Sequence, residues 1–98
     1  MYYYRSMARR TTADTDRAHG ERLGRLIAKR RADLRRSAPQ IAKESDVSVD
    51  AVRSLENGRV PTPGFLTIAR LAGVLDLSLD ELHAHASQPE NANKGRPR

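Results

Sequence analysis

Few side chains in this 98-residue chain stand where their types and spacing could do chemistry. Ser, His and Asp all occur, but no nucleophile elbow, phosphate loop or paired-carboxylate motif gathers them, so no enzyme is expected. His83-Ala84-His85 comes nearest to a metal ligand set. Residues i and i+2 fall on different sides of a helix, however, and no carboxylate or third histidine is placed to complete a site. Solvated histidines, with no metal and no cofactor, are therefore expected. The absence of Cys removes disulfides, thiolate metal sites and a thiol nucleophile, and fits a reducing cytoplasm. What remains is binding chemistry carried by charge.

The formal net charge is +6 and the pI about 10.5, a balance that favours an anionic partner. The charge is unevenly placed: Met1 to Gly20 carries +2, Glu21 to Arg36 +5, Ser37 to Gly58 −2 and Arg59 to Arg98 +1. The stretch Ser37–Gly58, SAPQIAKESDVSVDAVRSLENG, reads as two short helices joined by a tight turn. Ile41, Ala42 and Val47, then Val52 and Leu55, recur at three- to five-residue intervals, so each helix can bury one stripe and leave its other face free. Ser37 followed by Gln40 is a capping-box pattern with Pro39 in the first turn, although Pro39 at the first helical position would make Ala38 the cap. Ser48 caps the second helix and Gly58 stops it. Helices this short need a surrounding core.

The flanking elements supply it. Aromatic content is 4%, and three of the four aromatics are Tyr2, Tyr3 and Tyr4, so the core must be aliphatic and the fold all-α. Residues 1–20 lack a helical period and read as a flexible basic arm, either solvated or reaching a minor groove through Arg5, Arg9 and Arg10. Glu21 to Arg36 fits a helix burying Leu23, Leu26, Ile27 and Leu34, with Arg22, Arg25, Lys29, Arg35 and Arg36 off the stripe. Pro61 and Pro63 forbid helix in the turn after Gly58. A fourth helix then runs from about Pro63 or Gly64 to Asp76, burying Phe65, Ile68, Ala69, Leu71, Ala72 and Leu75. Gly73 inside it costs about 1 kcal/mol against Ala, which implies a close neighbour or a weak last turn. Ser78-Leu79-Asp80-Glu81 is a second capping box, opening a fifth helix through Leu82 to about Ala86. Residues 87–98 have nothing to bury and read as a disordered tail. No apolar run reaches membrane-span or signal-peptide length, so a cytoplasmic protein is expected, with room for one domain at 21–86 and none for a small-molecule effector domain.

Gln40–Gly58, the proline-rich turn and Leu71–His83 (LAGVLDLSLDELH) resemble the phage-repressor (Cro/xenobiotic-response-element) type of helix-turn-helix domain. The resemblance implies a compact five-helix bundle with flexible tails that acts as a sequence-specific transcriptional regulator on double-stranded DNA. It places the third helix (48–57) in the major groove, with Ser48, Val49, Asp50, Arg53 and Ser54 facing base edges. Val49 would touch a thymine methyl, Asp50 accept from a cytosine amino group and Arg53 fork onto guanine. It also implies phosphate contacts at Ala38 and Gln40, where a helix N-terminus attracts anions, and at Arg59. Finally it implies an ion pair between Arg31 and Glu56.

Three positions depart from the family pattern. Ala38 stands where Gln is common, Asp46 replaces the usual turn Gly, and Asp50 replaces a neutral or basic reader. Two carboxylates facing phosphates are unfavourable unless arginines of the first helix offset them. A different reading therefore stands beside the first: an adaptor or antitoxin-like module whose acidic face, Glu44, Asp46 and Asp50, holds a basic partner protein. Leu79 and Leu82 of the fifth helix either form a homodimer surface or complete a monomer core.

Overall fold

The computed structural model describes residues 12–88, which form five helices with no strand among them. They are α1 (Thr12–Asp33), α2 (Ala38–Ser45), α3 (Val49–Glu56), α4 (Phe65–Leu75) and α5 (Leu79–Ser87). Residues 1–11 and 89–98, with most of the expected arm and tail, lie outside the described residues. No helix among the described residues is long and apolar enough to cross a membrane.

The first helix corrects the boundary read from the sequence. It starts at Thr12 rather than Glu21, so residues 12–20 are helical and not arm. These residues hold their turns by local polar contacts: the Thr15 hydroxyl donates to the Thr12 carbonyl, and Arg17 pairs with Asp14 one turn before it. Asp14 also suits the positive end of the helix dipole. What docks this part of α1 is Gly20, buried against the backbone of Val60 and Pro61, a contact that no search for apolar stripes registers. At its other end α1 stops at Asp33, short of Arg36. Arg35 adopts φ 58°, and the Arg36 N–H turns back to the Arg31 carbonyl at 3.2 Å.

The remaining boundaries follow the caps. Ser37, not Ala38, caps α2: its hydroxyl accepts the Gln40 N–H at 3.2 Å while Gln40 Oε1 accepts the Ser37 N–H at 2.7 Å. Ser48 accepts the Ala51 N–H at 3.1 Å to start α3. After α3, Gly58 at φ 73° allows its N–H to reach the Leu55 carbonyl and the Arg59 N–H to reach that of Ser54, both at 3.0 Å. Asp46 and Asp76 end α2 and α4 in the same left-handed conformation, which a short polar side chain tolerates. Ser78 and Glu81 reciprocate at the start of α5. The Ser78 N–H, donated to Glu81 Oε1 at 2.8 Å, holds the Glu81 carboxyl below its ordinary value, with a smaller contribution from the Ser78 side chain.

One core runs through all five helices: Leu23 and Ile27 of α1, Ile41 and Ala42 of α2, Val52 and Leu55 of α3, Leu71, Ala72 and Leu75 of α4, Leu82 and Ala86 of α5. Leu82 thus completes the core, whereas Leu79 is exposed. Phe65 is a second correction. Expected inside, it is 69% exposed, as is its neighbour Leu66 at 62%. The buried stripe of α4 is Leu71, Ala72 and Leu75, with Ile68 half-buried; Phe65 sits in the first turn, just past the proline segment, where α4 has left the core.

Gly73 has no neighbour within 4 Å of where a Cβ would stand, so close approach does not explain it. Gly73→Ala should therefore gain helix propensity and raise stability by about 0.5–1 kcal/mol. A thermal melt showing loss instead would mean that something occupies this face.

Candidate nucleic-acid interface

The α2–α3 unit holds α3 by its back. Val52 and Leu55 are 0% and 2% exposed, and they fix α3 against α1 and α2. Because a helix repeats every 3.6 residues, burying positions 52 and 55 turns 50, 53 and 57 outward. Asp50, Arg53 and Asn57 are indeed exposed. Of the five residues assigned to base edges, the structure puts Ser48, Asp50 and Arg53 on open surface, with Val49 and Ser54 half-buried at its margins. Val49 also packs against the core, and Ser48 already spends its hydroxyl oxygen as the cap of α3. The Asp50 carboxylate and the Arg53 guanidinium form no ion pair or hydrogen bond with any described residue, so both are available as an acceptor and a forked donor.

At the start of α2 the arrangement is narrower than a fully open helix N-terminus. Ala38 has a buried side chain, Pro39 has no N–H, and the Gln40 N–H is taken by Ser37. Contact with an anion here would fall to the Ala38 backbone and to the amide nitrogen of Gln40, whose oxygen is held by Ser37. Arg59 is exposed just beyond α3.

Three arginines of α1 are tied to other helices rather than free as mobile cations. Each secures the C-terminal end of another helix, where carbonyls lack partners. Arg22 Nε donates to the Ala86 carbonyl of α5 at 2.6 Å, and Arg30 Nε donates to the Leu75 carbonyl of α4 at 2.8 Å. Arg31 forks onto Glu56, the last residue of α3, through Nε to Oε2 at 2.7 Å and Nη2 to Oε1 at 2.8 Å, while Nη1 donates to the Arg36 carbonyl at 2.8 Å. The hydrogen bond to Glu56 holds the Arg31 guanidinium protonated even more firmly than usual. Arg36 pairs with Glu44, and Lys29 with Asp33. The basic run is thus largely structural, and the offset it was expected to give Asp46 and Asp50 is reduced. Among the described residues, Arg35, Lys43, Arg53, Arg59 and Arg70 have no hydrogen-bond or ion-pair partner. Arg35, expected on the first helix off its buried stripe, lies in the α1–α2 turn, and Lys43, which no sequence motif marks, lies on α2 itself. Lys43 sits in the last turn of α2, a position that could have marked it.

His83, expected to be solvated, is exposed but has its ring against that of His19 on α1. Among the described residues no group of three or more His, Asp or Glu is placed to hold a metal ion.

No curated protein matches the chain. A family model described as a helix-turn-helix domain matches residues 22–86, from the middle of α1 to the end of α5. Two short helices with serine caps, a left-handed Asp46 between them and a five-helix core around them are the features that match covers. The chain belongs to the helix-turn-helix domain family, in keeping with its resemblance to the phage-repressor type.

Proposed function

We propose that the protein is a cytoplasmic, sequence-specific transcriptional regulator that reads double-stranded DNA with α3 in the major groove. The observation that carries this reading is the division of α3, with Val52 and Leu55 locked in the core and Asp50 and Arg53 open on the opposite face. Ser48, Val49, Asp50, Arg53 and Ser54 take the base edges. Arg53 forks onto guanine and Asp50 accepts from a cytosine amino group, a choice that also repels phosphate and so sharpens discrimination. Ala38, Gln40 and Arg59 take phosphates, with Lys43 and Arg35 adding positive charge around α2. A homodimer fits this role, because exposed Phe65, Leu66 and Leu79 leave apolar surface for a second copy. Its operator would be palindromic, with half-sites about 34 Å apart.

The adaptor reading has one observation in its favour: Asp46 and Asp50 are both exposed beside the turn. Its third acid, Glu44, is engaged by Arg36, which weakens the acidic face such a partner would need.

Selection of bound fragments from the source genome, followed by mobility shifts over a salt series, tests the proposal. Affinity should fall steeply and linearly in log–log form with salt. Arg53→Ala should cost about 1–3 kcal/mol on the selected site and relax specificity at one base pair, while changing random-sequence binding little. No retardation at low salt would overturn the DNA reading and favour the adaptor.

A further inference from the structure

His19 on α1 and His83 on α5 face each other with ring centroids 6.0 Å apart and planes inclined at 44°. Both line a groove of about 480 Å³ whose apolar walls include Leu23, Phe65, Ile68 and Leu82. One turn along α1 from His19, Arg22 is anchored on the Ala86 carbonyl, so a fixed cation already stands at this junction. One turn the other way, Asp16 is the carboxylate that faces His19. The segment 61–63 and the first turns of α4 bring Pro61, Thr62, Pro63, Phe65 and Ile68 to the groove, none of them ionisable.

We propose that this junction makes the seating of α5 on α1 acid-labile. Each helix contributes one imidazole. Protonating them adds positive charge beside Arg22, which Asp16 offsets only in part at His19, at the contact that keeps Leu82 and Ala86 in the core. Release of α5 would uncover Leu23 and Leu82 along the groove while leaving the α2–α3 capping bonds untouched. The device is therefore separate from the DNA-reading surface.

The direction of the pH dependence follows from His19. Burial first, then His83 and Arg22, hold it below the ordinary histidine value of 6.5, against a smaller opposing pull from Asp16. The unfolded chain takes up this proton at the ordinary value, the folded chain only at lower pH. Over that interval the unfolded state binds more protons, so stability falls as pH falls from 6.5 towards the folded value. Glu81 acts in a separate window. Its carboxyl is held low, so its contribution is present above the ordinary carboxylate value and is lost only at more acidic pH.

The test is an imidazole-proton NMR titration of the full chain from about pH 8 to about pH 5, with thermal melts at both ends of that range. His19 should titrate below 6.5, and His83→Gln should move it upward. Each full unit of depression corresponds to an about tenfold rise in the unfolding constant across the interval. His19→Gln should accordingly lose less melting temperature on acidification than the wild type. A His19 midpoint at the ordinary value, or one that ignores His83→Gln, overturns the proposal. So does an equal acid loss in His19→Gln.

Discussion

Gly24→Ala is expected to be among the most damaging single changes in the protein, although alanine is the better helix former. A Cβ on Gly24 would stand 1.9 Å from the Leu55 carbonyl oxygen and 3.0 Å from its carbon. Both are backbone atoms, so no side chain can swing aside. Nor is the Leu55 oxygen at liberty to move, since it accepts the Gly58 N–H at 3.0 Å in the turn that ends α3. Relief requires α1 and α3 to separate by roughly an ångström, at a place where Ile27, Val52 and Leu55 are packed to almost no exposure. Overpacking of this kind costs typically about 1–3 kcal/mol and occasionally more; the gain in helix propensity returns only about 1 kcal/mol. With backbone as the obstacle and no side chain able to yield, the upper end of the range applies, and a net loss of about 2 kcal/mol would lower the melting temperature by roughly 8 °C or more in a domain this size. Gly73→Ala is the internal control, being the same substitution in a helix interior with open space around it. If the two variants melted together, close approach at Gly24 would not be what excludes a side chain there.

The contrast between these glycines shows what could be read from the sequence. The serine caps at Ser37, Ser48 and Ser78 announce themselves because their partners lie three residues away, within one local signature. The buried stripe of α3 was legible for the same reason, and with it the outward placement of Asp50 and Arg53. Gly20 and Gly24 gave only a four-residue spacing of small residues, and their meaning lies in Val60 and Leu55, more than thirty positions downstream. Reading Gly20 as the end of an arm followed naturally, because its docking surface is backbone and carries no hydropathy. The arginines failed similarly. A basic run on a helix reads as a solvated face or an anion site, yet Arg22 and Arg30 satisfy carbonyls of α5 and α4 that only the tertiary arrangement brings near. Phe65 is not legible in this way, because apolar character does not fix burial and the bundle leaves the first turn of α4 at its rim.

Arg31→Ala is the second change expected to have a large effect, and its size separates a structural ion pair from a surface one. The Arg31 and Glu56 side chains retain only 23% and 11% exposure, and the guanidinium meets the carboxylate with two parallel bonds. Removing the arginine leaves Glu56 with a charge it cannot hydrate and deprives the Arg36 carbonyl of its donor. A buried pair broken from one side costs about 3–5 kcal/mol, a large share of the 5–15 kcal/mol that holds a typical domain. The damage should fall on the end of α3, and hence on DNA affinity, because Glu56 closes the helix that carries Arg53. Lys29→Ala supplies the comparison. Its pair with Asp33 is exposed on both sides and is worth at most about 0.5 kcal/mol. Arg31→Lys retains charge without the fork and should fall between the two. Adding Glu56→Gln to Arg31→Ala should recover part of the loss by removing the stranded charge, since the penalty belongs to the uncompensated carboxylate rather than to the missing bond. A melting shift for Arg31→Ala no larger than that of Lys29→Ala would show that the pair is solvated in solution and that α3 is held by Val52 and Leu55 alone.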